Sequence, residues 1–495
     1  MKQGLRSLLS DSAVYGLADI IARFLTIFLV PIYTRLFTPA DYGVLSLVNA
    51  SLTVVAIFVV LGLDNSAHRW YWDTDDDVDR RRTIASWAWC QMAVALVAAV
   101  AMLLSANWLA RVIVGQERAA LYFKLAGVGI PLTVLGKVAT TRLRMQRRPW
   151  ATTFYTLATS ITTIVATLVL VVFLRRGLTG VYVAQLIGYI VASIAGALLL
   201  KTWISPEYFN LARLREMLRF AIPIIPAGLA YWVVGFADRY FVQAYTNMSE
   251  VGLYSVGSSV AAVVAFATGA FQMAWSPFAF SIYKEDHAKQ TYANVFLAYL
   301  WFTVALSAGV SLFAPEAIRL LATSRYLGAT PVVGILALSY VMIGLTYIAS
   351  TGLAIAKRSG PTGAAMTTAA ILNIALNFAL VPHFGKLGSA IATLISQTVT
   401  PIYLFYRSQE IYSIPYRFKA GTAIVVIGLA VMAAGARLEI DSLWLAIAAK
   451  LTLMLVFIPL LFVLRLVTLG EMRAFGARAL SMLSPTRPER QAASD

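Results

Sequence analysis

Two pairs of charged residues interrupt apolar runs where charge is costly. Asp19 and Arg23 stand four apart, with Tyr15 and Thr26 extending the same stripe. That spacing places both on one helix face, and the acid precedes the base, which is the favourable order. Asp238 and Arg239 are adjacent in the run FADRYF. On an ideal helix adjacent residues point about 100° apart, so the expectation is that these two do not aim at one spot. One would face a cavity and the other a neighbouring helix. In hydrocarbon such groups must face protein or water. Arginine presents a planar fork that suits bidentate recognition of phosphate or carboxylate. Arg23 and Arg239 are therefore candidate substrate-binding cations, and Asp19 and Asp238 are candidate ion-coupling groups.

Lys124, Lys137 and Lys450 are the other cations inside apolar runs. Lys137 is near one end of its run and reads as snorkelling to the surface; Lys124, near an end of its own, is open to the same reading. Lys450 lies deeper and is a candidate substrate-binding cation. Thr268, Gln272 and Ser276 form an i, i+4, i+8 stripe beside Trp275, and Asn373 and Asn377 share a face four apart. Both sets can touch sugars or bond one helix to another. Arg23, Lys124, Lys137, Arg239 and Lys450 stand against Asp19 and Asp238, a net of +3. A cavity of that sign disfavours a cationic passenger and favours an anionic one.

The elements that must position these residues follow from composition. The 495 residues are 60% hydrophobic and 13% charged, with a mean hydropathy of +0.75. A soluble chain is about 45–50% apolar and about 25% charged, so this is a polytopic membrane protein. The formal charge of +17 does not indicate nucleic acid, because the arginines cluster in short connections between apolar runs. Cys90 is the only cysteine, and His68, His287 and His383 are scattered. No disulfide, metal centre or cofactor is expected. The opening MKQGLRSLLSD leads into an apolar run with no small-residue cleavage site, which reads as a retained first helix.

About 20 apolar residues span the hydrocarbon. On that ruler fourteen helices fall near 12–36, 42–63, 83–106, 119–141, 151–174, 178–201, 216–245, 251–281, 290–314, 330–355, 361–382, 386–407, 418–436 and 441–465. Pro223, Pro226 and Gly228 predict a kinked or locally unwound seventh helix. Residues 64–82, with WYWDTDDDVDRRR, read as a solvated loop anchored by interfacial aromatics. The tail 466–495 reads as an interfacial helix and a disordered end. With a cytoplasmic N-terminus, 26 Lys and Arg fall on the inside and 9 on the outside. That bias places both termini in the cytoplasm.

The chain also repeats itself. DYGVLSL at 41–47 matches EVGLYSV at 250–256, an offset of 209. GLTGVYVAQLIG at 177–188 matches GKLGSAIATLIS at 385–396, and Arg147-Arg148 matches Lys357-Arg358, at offsets of 208 and 210. Such an offset covers six helices, an even number, so the two copies run in parallel about an axis along the membrane normal. The expected domains are 1–201 and 216–407 as six-helix bundles, 418–465 as two further helices, and 466–495 as a tail.

The run NIALNFALVPHFGKLGSAIAT at 373–393 is more specific. Asn373 and Asn377 share a face, Pro382 ends the helix, Gly385 and Gly388 make a tight turn, and small residues follow for close helix contact. It resembles the asparagine–proline–glycine signature of bacterial polysaccharide flippases, members of the multidrug/oligosaccharidyl-lipid/polysaccharide exporter superfamily. FADRYF with VGLYSV resembles that family's seventh helix, and LVPIYTRLFTPADYGVLSL its first helix and following loop. The resemblance covers essentially the whole chain. It implies an all-α polytopic fold: two parallel six-helix bundles in a V shape, plus two C-terminal helices. It further implies alternating access, ion coupling and an undecaprenyl-diphosphate-linked glycan as passenger in the bacterial inner membrane. The implied partners are membrane lipids, a polysaccharide polymerase and a chain-length regulator. A peptidoglycan-precursor flippase and a cation-coupled multidrug exporter are the other readings within the superfamily. Short outside loops without an acidic pair argue against a polymerase, ligase or glycosyltransferase, so no enzyme is expected.

Overall fold

The computed structural model describes residues 29–438, 440 and 442–463. Among them, eleven helices are long and apolar enough to cross a membrane. The first described helix, α1, is Leu29–Leu36. The N-terminal half continues with α2 (Pro39–Trp72), α3 (Asp77–Val114), α4 (Glu117–Met145), α5 (Pro149–Phe173) and α6 (Gly177–Leu200). The C-terminal half holds α7 (Leu211–Tyr245), α8 (Met248–Ile282), α9 (Ala288–Leu312) and α10 (Ser324–Ile355). Gly360–Ile411 is one long run broken by non-helical backbone at Gly385, which divides it into α11 (360–384) and α12 (386–411). α13 (Phe418–Ala436) and a shorter apolar α14 (Trp444–Leu460) complete a set of fourteen. The fold is all-α, with the number of helices that the apolar runs predicted.

One connection differs from its expectation. The stretch 64–82 is not a loop: helix runs to Trp72 and resumes at Asp77. The aromatics Trp70, Tyr71 and Trp72 continue the helix, and Asp76 caps the next one by accepting from the Val78 and Asp79 amides at 3.1 and 3.2 Å. Charge and aromatics at a membrane surface had masked helical turns on both sides. Within α2, Leu61 and Gly62 both take positive φ, and Gly62 is there because a Cβ would sit 2.9 Å from the Ala221 carbonyl. The backbone of α7 thus passes close against the bend of α2.

In the N-terminal half α4 packs against α3 and α6, and α5 against α6. In the C-terminal half α10 lies between α8, α9 and the α11–α12 run, and α13 packs on α9. The two halves meet chiefly where α2 crosses α8. At that crossing a Cβ on Gly252 would run into the Pro39 carbonyl and lie 3.1 Å from the Gly43 amide. Glycine lets the two backbones approach, and in lipid such close packing supplies much of the attraction between helices. Further bonds stitch the same end: Thr34 donates to the Leu321 carbonyl at 3.1 Å and Tyr326 to the Phe37 carbonyl at 3.0 Å.

The repeat appears in the local structure. Thr38 caps α2 through the Asp41 amide, and Asn247, 209 residues on, caps α8 through the Glu250 amide. After α4, the Arg147 and Arg148 amides donate to the Arg144 and Leu143 carbonyls; after α10, Lys357 and Arg358 donate to Ala354 and Leu353. Arg147 and Lys357 both take positive φ, at 51° and 58°, an uncommon backbone for non-glycine residues. Gly177 and Gly385, which open α6 and α12, do the same at 58° and 55°.

Candidate functional site

The seventh helix is irregular where its prolines stand. Pro223 lies in a 3-10 turn, Ile222–Ile224, and Pro226 in the first turn of the helix that resumes at Ile225. A single wide π-helical turn, Val233–Ala237, follows before regular helix returns at Asp238. Such turns mark functional positions in helices. Here the wide turn presents the Gly235 carbonyl, which accepts from Arg239 Nη1 at 2.9 Å.

Asp238 and Arg239 are buried, at 3% and 9% exposure. They do aim at one spot, which corrects the expectation drawn from ideal helix geometry. Arg239 Nη1 lies 2.8 Å from Asp238 Oδ1. The arginine is long enough to fold back over the widened turn and reach its neighbour. Asp238 Oδ1 also accepts from the Arg239 amide at 2.8 Å, and Oδ2 accepts from the Tyr254 hydroxyl at 2.5 Å. The guanidinium lies over the Phe236 and Tyr254 rings. Its Nε donates across to Ser46 Oγ of α2 at 3.0 Å, and Ser46 accepts a second bond from Ser255 at 2.7 Å. A buried ion pair is tolerated when its members gain further hydrogen bonds, and both members of this pair do.

A second polar cluster joins α11 to α12. Asn373 Nδ2 donates to Ser396 at 3.2 Å and to Thr393 at 3.5 Å. Asn377 donates to the Asn373 carbonyl at 2.8 Å and accepts from Ser389 at 2.7 Å. Both asparagines are fully buried and bond α11 to α12. The structure thus brings Asp238 and Arg239 into one network that touches both halves, and Asn373 and Asn377 into another between α11 and α12.

Other candidates lie apart. Asp19 and Arg23 fall outside the described residues. In the α8 stripe Thr268 turns inward and donates to the Tyr340 carbonyl at 3.3 Å, whereas Gln272 and Ser276 are exposed. Lys450 is buried and lies 2.5 Å from Glu316 Oε1 on the short helix Ala314–Leu321. A phosphate at Lys450 would have to displace that carboxylate. Lys137 does not reach the surface alone: it lies 3.3 Å from Asp64. Lys124 is exposed. Ser46, Tyr254 and Ser255 escaped the sequence reading as site residues. Their signal was present, since Ser46 and Ser255 occupy matching positions of DYGVLSL and EVGLYSV. Among the described residues, no group of three or more His, Cys, Asp or Glu side chains is placed to hold a metal ion.

Comparison with known proteins places this geometry. A family profile described as polysaccharide biosynthesis protein matches residues 32–331. The succinoglycan biosynthesis transport protein ExoT of Rhizobium meliloti (strain 1021) is 25% identical over 343 residues, 67% of this chain and 64% of that protein. The chain therefore matches just under two thirds of that relative's length. Among solved structures, the lipid II flippase MurJ in an inward closed conformation superposes with a TM-score of 0.73 at 14% identity, covering 90% of this chain and 98% of that one. An inward-facing multidrug resistance transporter of the MATE family, in the MOP superfamily, superposes with a TM-score of 0.68 at 15% identity, covering 81% and 96%. At such identities these are likenesses of fold. With the family profile matched over more than half its length, the chain belongs to the polysaccharide biosynthesis protein family, as a multi-pass membrane protein with the fold of these transporters.

Proposed function

We propose that the protein is a flippase that carries an undecaprenyl-diphosphate-linked oligosaccharide across the bacterial inner membrane by ion-coupled alternating access. The observation that carries this reading is the buried Arg239–Asp238 pair, which sits on the broken helix of one half and is bonded to Ser46 of the other. The family is one of polysaccharide biosynthesis, and a relative is named as a transport protein of that kind. Each bundle, 1–201 and 216–407, moves as a body. The halves meet at the end that holds Asn247, which the charge bias assigns to the periplasm, and also at the other end, where Arg213 lies 2.6 Å from Asp79; the passenger enters from the cytoplasm. In low dielectric an arginine attracts a diphosphate far more strongly than in water. The diphosphate displaces Asp238 from Arg239, and the freed carboxylate takes up a proton or sodium ion. Arg23 and Asp19 act alike on the first helix. Asn373 and Asn377 hold α11 and α12 together during this exchange. A peptidoglycan-precursor passenger shares the diphosphate and differs in its sugars and peptide. A polymerase and a chain-length regulator would receive the exported unit.

The test uses the purified protein in vesicles with a fluorescent undecaprenyl-diphosphate oligosaccharide. Movement between leaflets, read by an impermeant quencher and dependent on an imposed proton or sodium gradient, is the expected result. No movement under either gradient overturns the reading.

A further inference from the structure

A second polar region lies wholly within the N-terminal half. Two adjoining cavities of about 460 and 380 Å³ open between α2, α4, α5 and α6 and share Thr133 and Tyr189. Each falls in the range of roughly 300–1,000 Å³ typical of small-molecule sites. Polar residues line them at helical spacing: Thr133, Lys137 and Thr140 on α4, Thr159 and Thr163 on α5, and Gln185 on α6. Residues so spaced share one face of a helix. A lipid-facing surface has no use for such a face, and the outward residues of α5, Phe154 and Phe173, are apolar.

The hydroxyls are chemically alike. Thr133 donates to the Ile130 carbonyl at 2.7 Å, and Thr140, Thr159 and Thr163 donate to carbonyls one turn back at 3.0 Å. Each hydroxyl hydrogen is held by its own helix, which leaves the oxygen lone pairs for a visitor. The Gln185 amide has no partner among the described residues, and so can both donate and accept. The cations are not unengaged: Lys137 is held by Asp64, which also accepts from Gln91 at 3.1 Å, and Arg144 has an interaction of its own. The wall is rich in acceptors. Sugar hydroxyls are donors that such a wall satisfies, and a diphosphate is not.

We propose that these cavities bind the sugar rings of the passenger, while the diphosphate is recognised elsewhere. The inference rests on the transport reading above and adds to it where the glycan is selected.

The experiment titrates two lipids into the purified full chain in nanodiscs: the lipid-linked oligosaccharide extracted from cells that make the protein, and undecaprenyl diphosphate without sugar. The unmodified protein should bind the first more tightly. Equal affinities overturn the proposal and leave the transport reading standing, whereas binding of neither lipid removes the transport reading itself. Thr140→Val with Thr159→Val keeps shape and removes two acceptors. It should weaken the glycan lipid about tenfold and leave the sugar-free lipid unchanged, and the matching serine variants should restore binding. Equal losses for both lipids, or no loss for the glycan lipid, overturn the proposal. Thr162→Val, on the same helix but outside the cavities, should change nothing; an equal loss there also overturns it.

Discussion

Ser255 donates to Ser46 at 2.7 Å, and the two are separated by 209 residues, the offset of the internal repeat. Residues at matching positions of the sequence repeat thus meet at the crossing of α2 and α8, as do Gly252 and Gly43 beside them. This crossing joins the two halves, and it must part if they rock apart there. Arg239 is bonded to the same serine, which ties the charged pair to the crossing.

A disulfide at this point should lock the protein. In a Cys90→Ala background, Ser46→Cys with Ser255→Cys places two thiols where the hydroxyls now touch, within the reach that a disulfide needs. Oxidation should reduce transport to background and reductant should restore it. Transport at the normal rate by the cross-linked protein would mean that the halves do not part here.

Arg239→Ala should abolish export and also lower stability. Removing one partner of a buried ion pair costs about 3–5 kcal/mol, because the other charge is left without compensation. Arg239→Lys keeps the charge and loses the fork, so part of the transport should remain. The double variant Asp238→Asn with Arg239→Gln separates the two effects. It should recover thermal stability and not transport. Normal export by that variant would reduce the pair to a packing device.

Asp238→Asn alone removes the carboxylate that the passenger is expected to free. Transport in vesicles should then lose its dependence on the imposed ion gradient, while downhill exchange of the fluorescent glycan lipid persists. A gradient dependence equal to that of the unmodified protein assigns coupling to another group.

The topology follows from the 26 to 9 bias of Lys and Arg. An alkaline phosphatase fusion at Asn247 should be active and one at Lys357 inactive. Strong activity at Lys357 would reverse the orientation.

Much of this protein is decided by its sequence alone. The bilayer acts as a ruler, so the lengths of the apolar runs determine how many helices there are. Repeated turn chemistry determined that the chain is duplicated: the Arg147 and Lys357 turns and the Gly177 and Gly385 turns are local, and local geometry is encoded locally. Pro223 and Pro226 announced an irregular α7 for the same reason. Which side chains meet was decided only by the tertiary structure. Helical spacing states the face on which a residue lies and does not say which helix that face will meet. In lipid the usual guide is also missing, since tails are as apolar as leucine and a buried face looks like an outward one. Hence Glu316 opposite Lys450, Asp64 opposite Lys137, and Tyr254 and Ser46 around Asp238 and Arg239 emerged only in three dimensions. Even the direction of Arg239 depended on a wide turn that ideal helix geometry does not contain.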